Sequence, residues 1–351
     1  MGRGFLLVCR VCDMKQNSSS MTEVPSPMVV QDVKGYNSWP FVQTLGCGLV
    51  CAYSRGERHS IDERSRGVYA RLSMDGGRTW GEESKVVNTP DYGESAIGKG
   101  LDENGAMLLW VRCVGADWKH DLYRSADGVN FERIASLRPD PMPMQITDVI
   151  HVPTVGLMCF WFAGRYRDLP ENAWGTLVSA DNGKTWTQCV IEANLPKADW
   201  PTEQCGIYLG DGRIIAITRC EVCDDCPQRR QFQLQSNDFG KTWMKMRTNI
   251  GDVKISTPSL IYDSSTGLLY NYYYHRGMGY LKRRVAPLKS IWDHPTDWPD
   301  FELVATGSAN DHHAGNVNVV AGNGVHYCTY YSGDENNTAV VMFTAEGTKG
   351  T

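Results

Sequence analysis

The sequence predicts an all-β chain folded as a six-bladed β-propeller, and three observations predict it. One eight-residue turn motif recurs at a nearly constant interval, six short β-rich runs mostly follow Gly-containing turns, and helical periodicity is hard to find along the 351 residues.

The motif reads Ser73-Met-Asp-Gly-Gly-Arg-Thr-Trp80, Ser179-Ala-Asp-Asn-Gly-Lys-Thr-Trp186 and Ser236-Asn-Asp-Phe-Gly-Lys-Thr-Trp243, with a worn copy, Ser125-Ala-Asp-Gly-Val-Asn-Phe131. The serines stand 52, 54 and 57 positions apart, each the span of one four-stranded antiparallel blade. Within such a hairpin turn the Asp accepts backbone N–H bonds, Gly permits positive φ and Trp packs back onto the sheet. The motif is therefore structural, not catalytic.

The runs are Gly48 to Tyr53, Ala106 to Val111, Leu157 to Phe162, Arg213 to Thr218, Leu268 to Tyr273 and His326 to Tyr330. Residues 36 to 347, divided by a repeat of about 53, give six blades. The last two blades lack the motif, and residues 286 to 300, with their prolines and tryptophans, supply a longer connection instead. Residues 1 to 20 read as a disordered leader, and residues 21 to 351 as one propeller domain carrying the catalytic site.

Apolar residues make up 42% and charged residues 21%, ordinary for a globular chain with a sizeable core. A net charge of −5 gives no reason to expect nucleic acid as a partner, and no apolar run approaches the roughly 20 residues of a membrane span. Phe5-Leu6-Leu7-Val8 is much shorter than the apolar core of a secretion signal. Cys51, Cys113, Cys159 and Cys328 sit among apolar neighbours as buried thiols, which favours the cytoplasm over export. Cys220, Cys223 and Cys226 have metal-ligand spacing but no fourth ligand at a convincing distance, so no metal and no cofactor is expected.

A propeller gathers the loops of successive blades around a funnel at one end of its axis. Arg58, Arg219 and Arg276 follow the first, fourth and fifth runs and fall at that end. Each alone reads as a surface or inter-blade ion pair. Together they suit recognition of a sugar carboxylate, for which the guanidinium fork is shaped. Asp62, Glu94 and Glu203 belong to the same end, and a partly desolvated carboxyl there can hold the proton that glycoside cleavage needs.

These residues resemble the sialidase (neuraminidase) family over residues 36 to 347. The repeated Ser-x-Asp-x-Gly-x-Thr-Trp is similar to that family's Asp-box. Ala52-Tyr-Ser-Arg-Gly-Glu-Arg58, Asp62 and Arg71-Leu-Ser-Met-Asp75 look like its acid-bearing segment. Thr202-Glu203-Gln204, Asp211-Gly212-Arg213 and Ile217-Thr-Arg219 look like the segment with its glutamate and a carboxylate-binding arginine. The resemblance implies an exo-α-sialidase that binds sialylated glycans or free sialic acid. Asp62 would be the acid/base, Glu203 would assist a nucleophile, Arg219 and Arg276 would grip the carboxylate, and Glu94 would contact a sugar hydroxyl.

Two positions depart from the family pattern. Ser38-Trp39-Pro40 replaces its Arg-Ile-Pro opening, and His313-Ala-Gly-Asn-Val-Asn318 stands where its nucleophilic tyrosine would fall. Tyr273, Tyr274, Tyr330 and Tyr331 are the substitutes within reach, with an activated water or an endosialidase-like site as alternatives. His312 and His313, beside Asp311, are candidates for proton transfer. A sialic-acid-binding propeller without hydrolysis, and a hydrolase or lyase acting on another acidic glycan, remain open.

Overall fold

The structure, a computed structural model, describes residues 27–164, 172–221, 230–253, 256–306, 308–309 and 311–347. The expected leader, Cys223, Cys226 and the side chain of Cys220 lie outside the described residues. Among those described, no helix is long and apolar enough to cross a membrane.

Six four-stranded antiparallel blades follow one another in chain order. The first comprises Tyr36–Leu45, Gly48–Gly56, Gly67–Ser73 and Ser84–Val87, and the second Gly93–Leu101, Met107–Val114, Trp118–Ser125 and Glu132–Leu137. The third to fifth begin at Gln145–Val152, Pro201–Gly210 and Pro258–Asp263. The sixth takes Ala314–Gly322, Val325–Gly333 and Thr338–Glu346 from the C-terminal part of the chain and its outer strand, Met28–Gln31, from the N-terminal part. The ring is thus closed by hydrogen bonds between distant ends of the sequence, which protects the last strand edge.

The first strand of each blade is the innermost, and these strands pack side by side around the axis. The six apolar runs lie in the second strands, and burial is the physical reason for their composition. A second strand is covered by a neighbouring blade on both faces and reads as continuous apolar sequence, whereas an innermost strand faces the axis and carries polar and small residues. Six apolar clusters, one per inter-blade seam, form the core. Glycine is required where backbones crowd: a Cβ on Gly98 would stand 2.4 Å from the carbonyl oxygen of Thr147 in the third blade's innermost strand. Cys51, Cys113, Cys159 and Cys328 are buried, unpaired thiols as expected.

The recurring turns join the third and fourth strands of the first four blades. In the third blade the Gly183 amide donates to the Ser179 hydroxyl at 2.8 Å, and that hydroxyl donates to Asp181 at 2.8 Å. Asp181 in turn accepts the Thr185 amide at 2.8 Å and its hydroxyl at 2.6 Å. The tryptophan enters the seam with the preceding blade: Trp186 meets Trp110 edge to face at 5.2 Å, and Trp243 meets Phe160 at 5.1 Å. Where the motif is missing, a short helix, Leu288–Asp293, buries Leu288 and Ile291 against the fourth blade, and Gln233 donates to the Ile291 carbonyl at 2.7 Å. Replacing Ser179 with alanine leaves the buried Gly183 amide without its acceptor. It is expected to cost about 1–3 kcal/mol, read as a lowered melting temperature with unchanged ligand binding.

Candidate functional site

One cavity of about 610 Å³ opens at one end of the axis, and every blade except the fifth sends innermost-strand or adjoining loop residues to its wall. The fifth contributes Arg276, just beyond its second strand. The way the innermost strands bend explains how side chains reach this space. Five of the six slip register near the cavity: between Ser38 and Phe41, Ala96 and Gly98, Ile146 and Val149, Thr202 and Cys205, and Gly315 and Asn318. Three of these bulges hold a non-glycine residue in the left-handed region: Trp39 at φ 51°, Glu203 at φ 47° and Asn316 at φ 51°. Each such conformation costs on the order of 1–3 kcal/mol. Each turns a side chain that a regular strand would direct elsewhere into the cavity.

Three guanidinium groups from three blades line the wall: Arg112, Arg219 and Arg276. Arg219 and Arg276 were expected there. Arg112 was not, although it directly follows the second blade's apolar run as Arg219 follows the fourth's. The two also hold equivalent register, Arg112 opposite Ser95 and Arg219 opposite Thr202, each beside a bulge. Each guanidinium is fixed. Arg112 Nη1 donates to the Met144 carbonyl at 2.8 Å, and Arg276 Nε donates to the Ala314 carbonyl at 2.8 Å. Arg219 contacts Glu203 at 2.9 Å through Nη1 and Glu221 at 2.7 Å through Nε.

Glu203 is buried, and its second carboxylate oxygen accepts the Thr257 hydroxyl. It and Asp311 are the carboxylates among the described wall residues, and Arg219 is shared between Glu203 and Glu221, so the guanidiniums of Arg112 and Arg276 carry the positive charge that the wall presents. The remaining surface is largely apolar, supplied by Trp39, Phe41, Ile61, Ile97 and Met144. The cavity is therefore suited to an anionic ligand with an apolar face.

The other expected residues divide. Asp62 is exposed and absent from the wall, though its neighbour Ile61 belongs to it. Its carboxylate accepts the Ser60 hydroxyl, and that bond holds it below the usual carboxylate range. Glu94 is buried off the cavity and accepts the Thr89 hydroxyl at 2.6 Å, and burial raises its pKa. Arg58 is exposed and lines a separate rim hollow with His59, His312 and His313. His313 is partly buried there, its Nδ1 3.0 Å from the Tyr36 hydroxyl.

Of the four tyrosines, Tyr273 is bound to Asp252 at 3.2 Å and to Arg284 at 2.8 Å. Tyr274 donates to the Ala309 carbonyl, and Tyr330 contacts the Ser308 hydroxyl at 2.6 Å. Tyr274 also lies within electrostatic reach of Arg276 and Asp311, and Tyr331 is buried behind the wall without being part of it. Its hydroxyl donates to the His312 carbonyl at 2.9 Å and contacts Arg276 and Tyr36, while Glu203 lies within electrostatic reach. Burial raises its pKa.

No family model matches the chain, and no curated protein matches it. Solved structures do. A protein of unknown function from Dyadobacter fermentans is similar with a TM-score of 0.69 at 17% identity, over 92% of this chain and 100% of that one. The NanB sialidase from Streptococcus pneumoniae is similar at 0.68 and 11% identity, over 91% of this chain and 70% of that one. The phage phi92 endosialidase is similar at 0.67 and 11% identity, over 92% and 69%. At such identities the likeness carries the fold and not the activity: this chain has the β-propeller fold that sialidases and an endosialidase also adopt.

Proposed function

We propose that the chain is a glycoside hydrolase releasing terminal α-linked sialic acid. The observation that carries this reading is the convergence of Arg112, Arg219 and Arg276 with Glu203 on one cavity. Three guanidiniums held by their surroundings form a preorganised receptor for a carboxylate, and Arg112 supplies the third positive charge that Ser38-Trp39-Pro40 lacks. The apolar wall accepts the uncharged face of the sugar.

In this reading Tyr331 is the nucleophile. Its hydroxyl oxygen bonds to the anomeric carbon as its proton passes toward Glu203, and the glycosidic oxygen departs with a proton from Asp62. Water then displaces the tyrosine, with Asp62 taking the water's proton and Glu203 returning its proton to the tyrosine oxygen. This reading requires the Asp62 side chain to turn from Ser60 toward the cavity beside Ile61, where, parted from that hydroxyl and partly desolvated, it takes up from solvent the proton it delivers.

The purified chain should release fluorophore from a fluorogenic α-sialoside, and Asp62→Asn should lower kcat/KM by about 10²–10⁴-fold. Tyr331→Phe should abolish turnover while leaving ligand-induced thermal stabilisation intact. A second reading, retention of sialic acid without cleavage, is favoured by the outward, ionised Asp62. It predicts thermal stabilisation by free sialic acid and no product from any sialoside. Absence of both stabilisation and turnover removes both readings.

A further inference from the structure

At the rim, two parts of the ring far apart in sequence bring imidazoles together. His59 comes from the loop after the first blade's second strand, and Asp311, His312 and His313 come from the approach to the sixth blade. One potential ligand atom from each of Asp311, His312 and His313 lies within 4.8 Å of the other two. The ring of His312 is 3.9 Å from that of His313 and 5.6 Å from that of His59, and His59 is 6.2 Å from His313. His59 and His312 border both the main cavity and the rim hollow, so the cluster is open to solvent.

We propose that His59, Asp311, His312 and His313 form a binding site for a divalent transition-metal ion of the zinc class. With zinc–nitrogen bonds of 2.0–2.1 Å, ligand atoms on a tetrahedral ion stand about 3.4 Å apart. The Asp311, His312 and His313 groups reach that spacing by small side-chain rotations. Imidazole nitrogen with one carboxylate is a donor set that suits zinc better than calcium or magnesium.

The outer contacts fit as well. Nδ1 of His313 is engaged by the Tyr36 hydroxyl at 3.0 Å, which orients the ring and leaves Nε2 as the ligand atom. Asp311 offsets part of the ion's charge in a region that also contains Arg276.

The site stands or falls independently of sialoside cleavage. The experiment uses the full chain with Cys220, Cys223 and Cys226 replaced by serine, so that zinc taken up by those thiols is not counted as binding at the rim. Zn²⁺ is titrated calorimetrically, and Co²⁺ serves as a spectroscopic probe. The expected result is one ion per chain and a Co²⁺ visible band characteristic of low coordination number. Both should be lost in His312→Ala and His59→Ala, and the affinity should fall about tenfold in Tyr36→Phe. Because His312 is exposed, its variant decides the matter even if His59→Ala disturbs its loop. No binding in the cysteine-free chain, or binding that survives His312→Ala, overturns the proposal.

Discussion

Replacing Arg219 with alanine is expected to lower the unfolding free energy by about 3–5 kcal/mol and to abolish binding of an acidic sugar. The guanidinium lies between two carboxylates, 2.9 Å from Glu203 and 2.7 Å from Glu221, with side-chain exposures of 13%, 6% and 3% respectively. Removing it leaves two buried negative charges without their shared cation. The stability cost therefore comes mainly from what remains, and it can be separated from the binding loss. Adding Glu221→Gln to the alanine variant should recover part of the stability without restoring affinity. Arg219→Lys should keep most of the stability yet weaken ligand binding, because an ammonium group cannot offer the two-pronged donor geometry. Denaturant titrations of the four proteins, with thermal shifts on adding sialic acid, give both readouts. A stability change below about 1 kcal/mol for the alanine variant would show that water, not Arg219, solvates the carboxylates.

The blades were legible in the sequence because their turns tolerate few solutions. The serine must accept the glycine amide, the aspartate must accept the threonine amide and hydroxyl, and the tryptophan must fill a seam. Ser73, Ser179 and Ser236 stand in the same chemical surroundings. The number of blades followed from the apolar second strands, whose burial on both faces leaves a strong compositional trace. The innermost strands left a weaker one. Gly93–Leu101 is nearly all buried, yet it alternates small, charged and apolar residues, since it faces an axis and a close neighbouring backbone.

The site was only partly legible, for a related reason. Which side chain enters the cavity depends on register slips such as those at Trp39, Glu203 and Asn316, and a slip leaves no motif. Arg112 was hidden because nothing marks it locally. Only its equivalence to Arg219 across blades reveals it. Asp62 was singled out by the resemblance of its segment to an acid-bearing one, but a place along a loop does not fix the direction of a carboxylate with a serine hydroxyl two residues away.

Arg66, which no motif singles out, is expected to matter almost as much as Arg219. It is completely buried. Its guanidinium donates to the Ser60 carbonyl at 3.0 Å, to the Arg58 carbonyl, to the Ser38 hydroxyl at 3.3 Å and to Glu63 at 3.1 Å, and it lies 4.6 Å above the Trp39 ring. It thereby ties the loop of residues 57–66 to the first blade's innermost strand and holds His59 and Ile61 at the cavity. Arg66→Met keeps similar volume and removes the charge. It strands the buried Glu63 with only hydroxyl and amide partners, takes the guanidinium donor from the Ser60 carbonyl and leaves the Arg58 carbonyl with the Ser60 amide alone, a loss of about 3–5 kcal/mol. Amide hydrogen exchange across residues 57–66 should accelerate, while the fourth and fifth blades keep their protection.

The acid response supplies an independent check on the Glu63 pairing. Burial pushes the Glu63 carboxyl upward, but the Ser65 hydroxyl, the amides of Glu57 and Arg58, and Arg66 outweigh it and hold the group below its ordinary range. A carboxyl depressed in the folded state contributes stability that is complete above its unfolded pKa, about 4.3, and is lost as pH falls through the folded value. The stability advantage of the native chain over Arg66→Met/Glu63→Gln should therefore shrink in denaturant titrations carried from pH 6 to pH 3. An advantage that stays constant over that interval would mean Glu63 carries no pH-dependent part of the stability, and the loop would then be held by the carbonyl contacts of Arg66 alone.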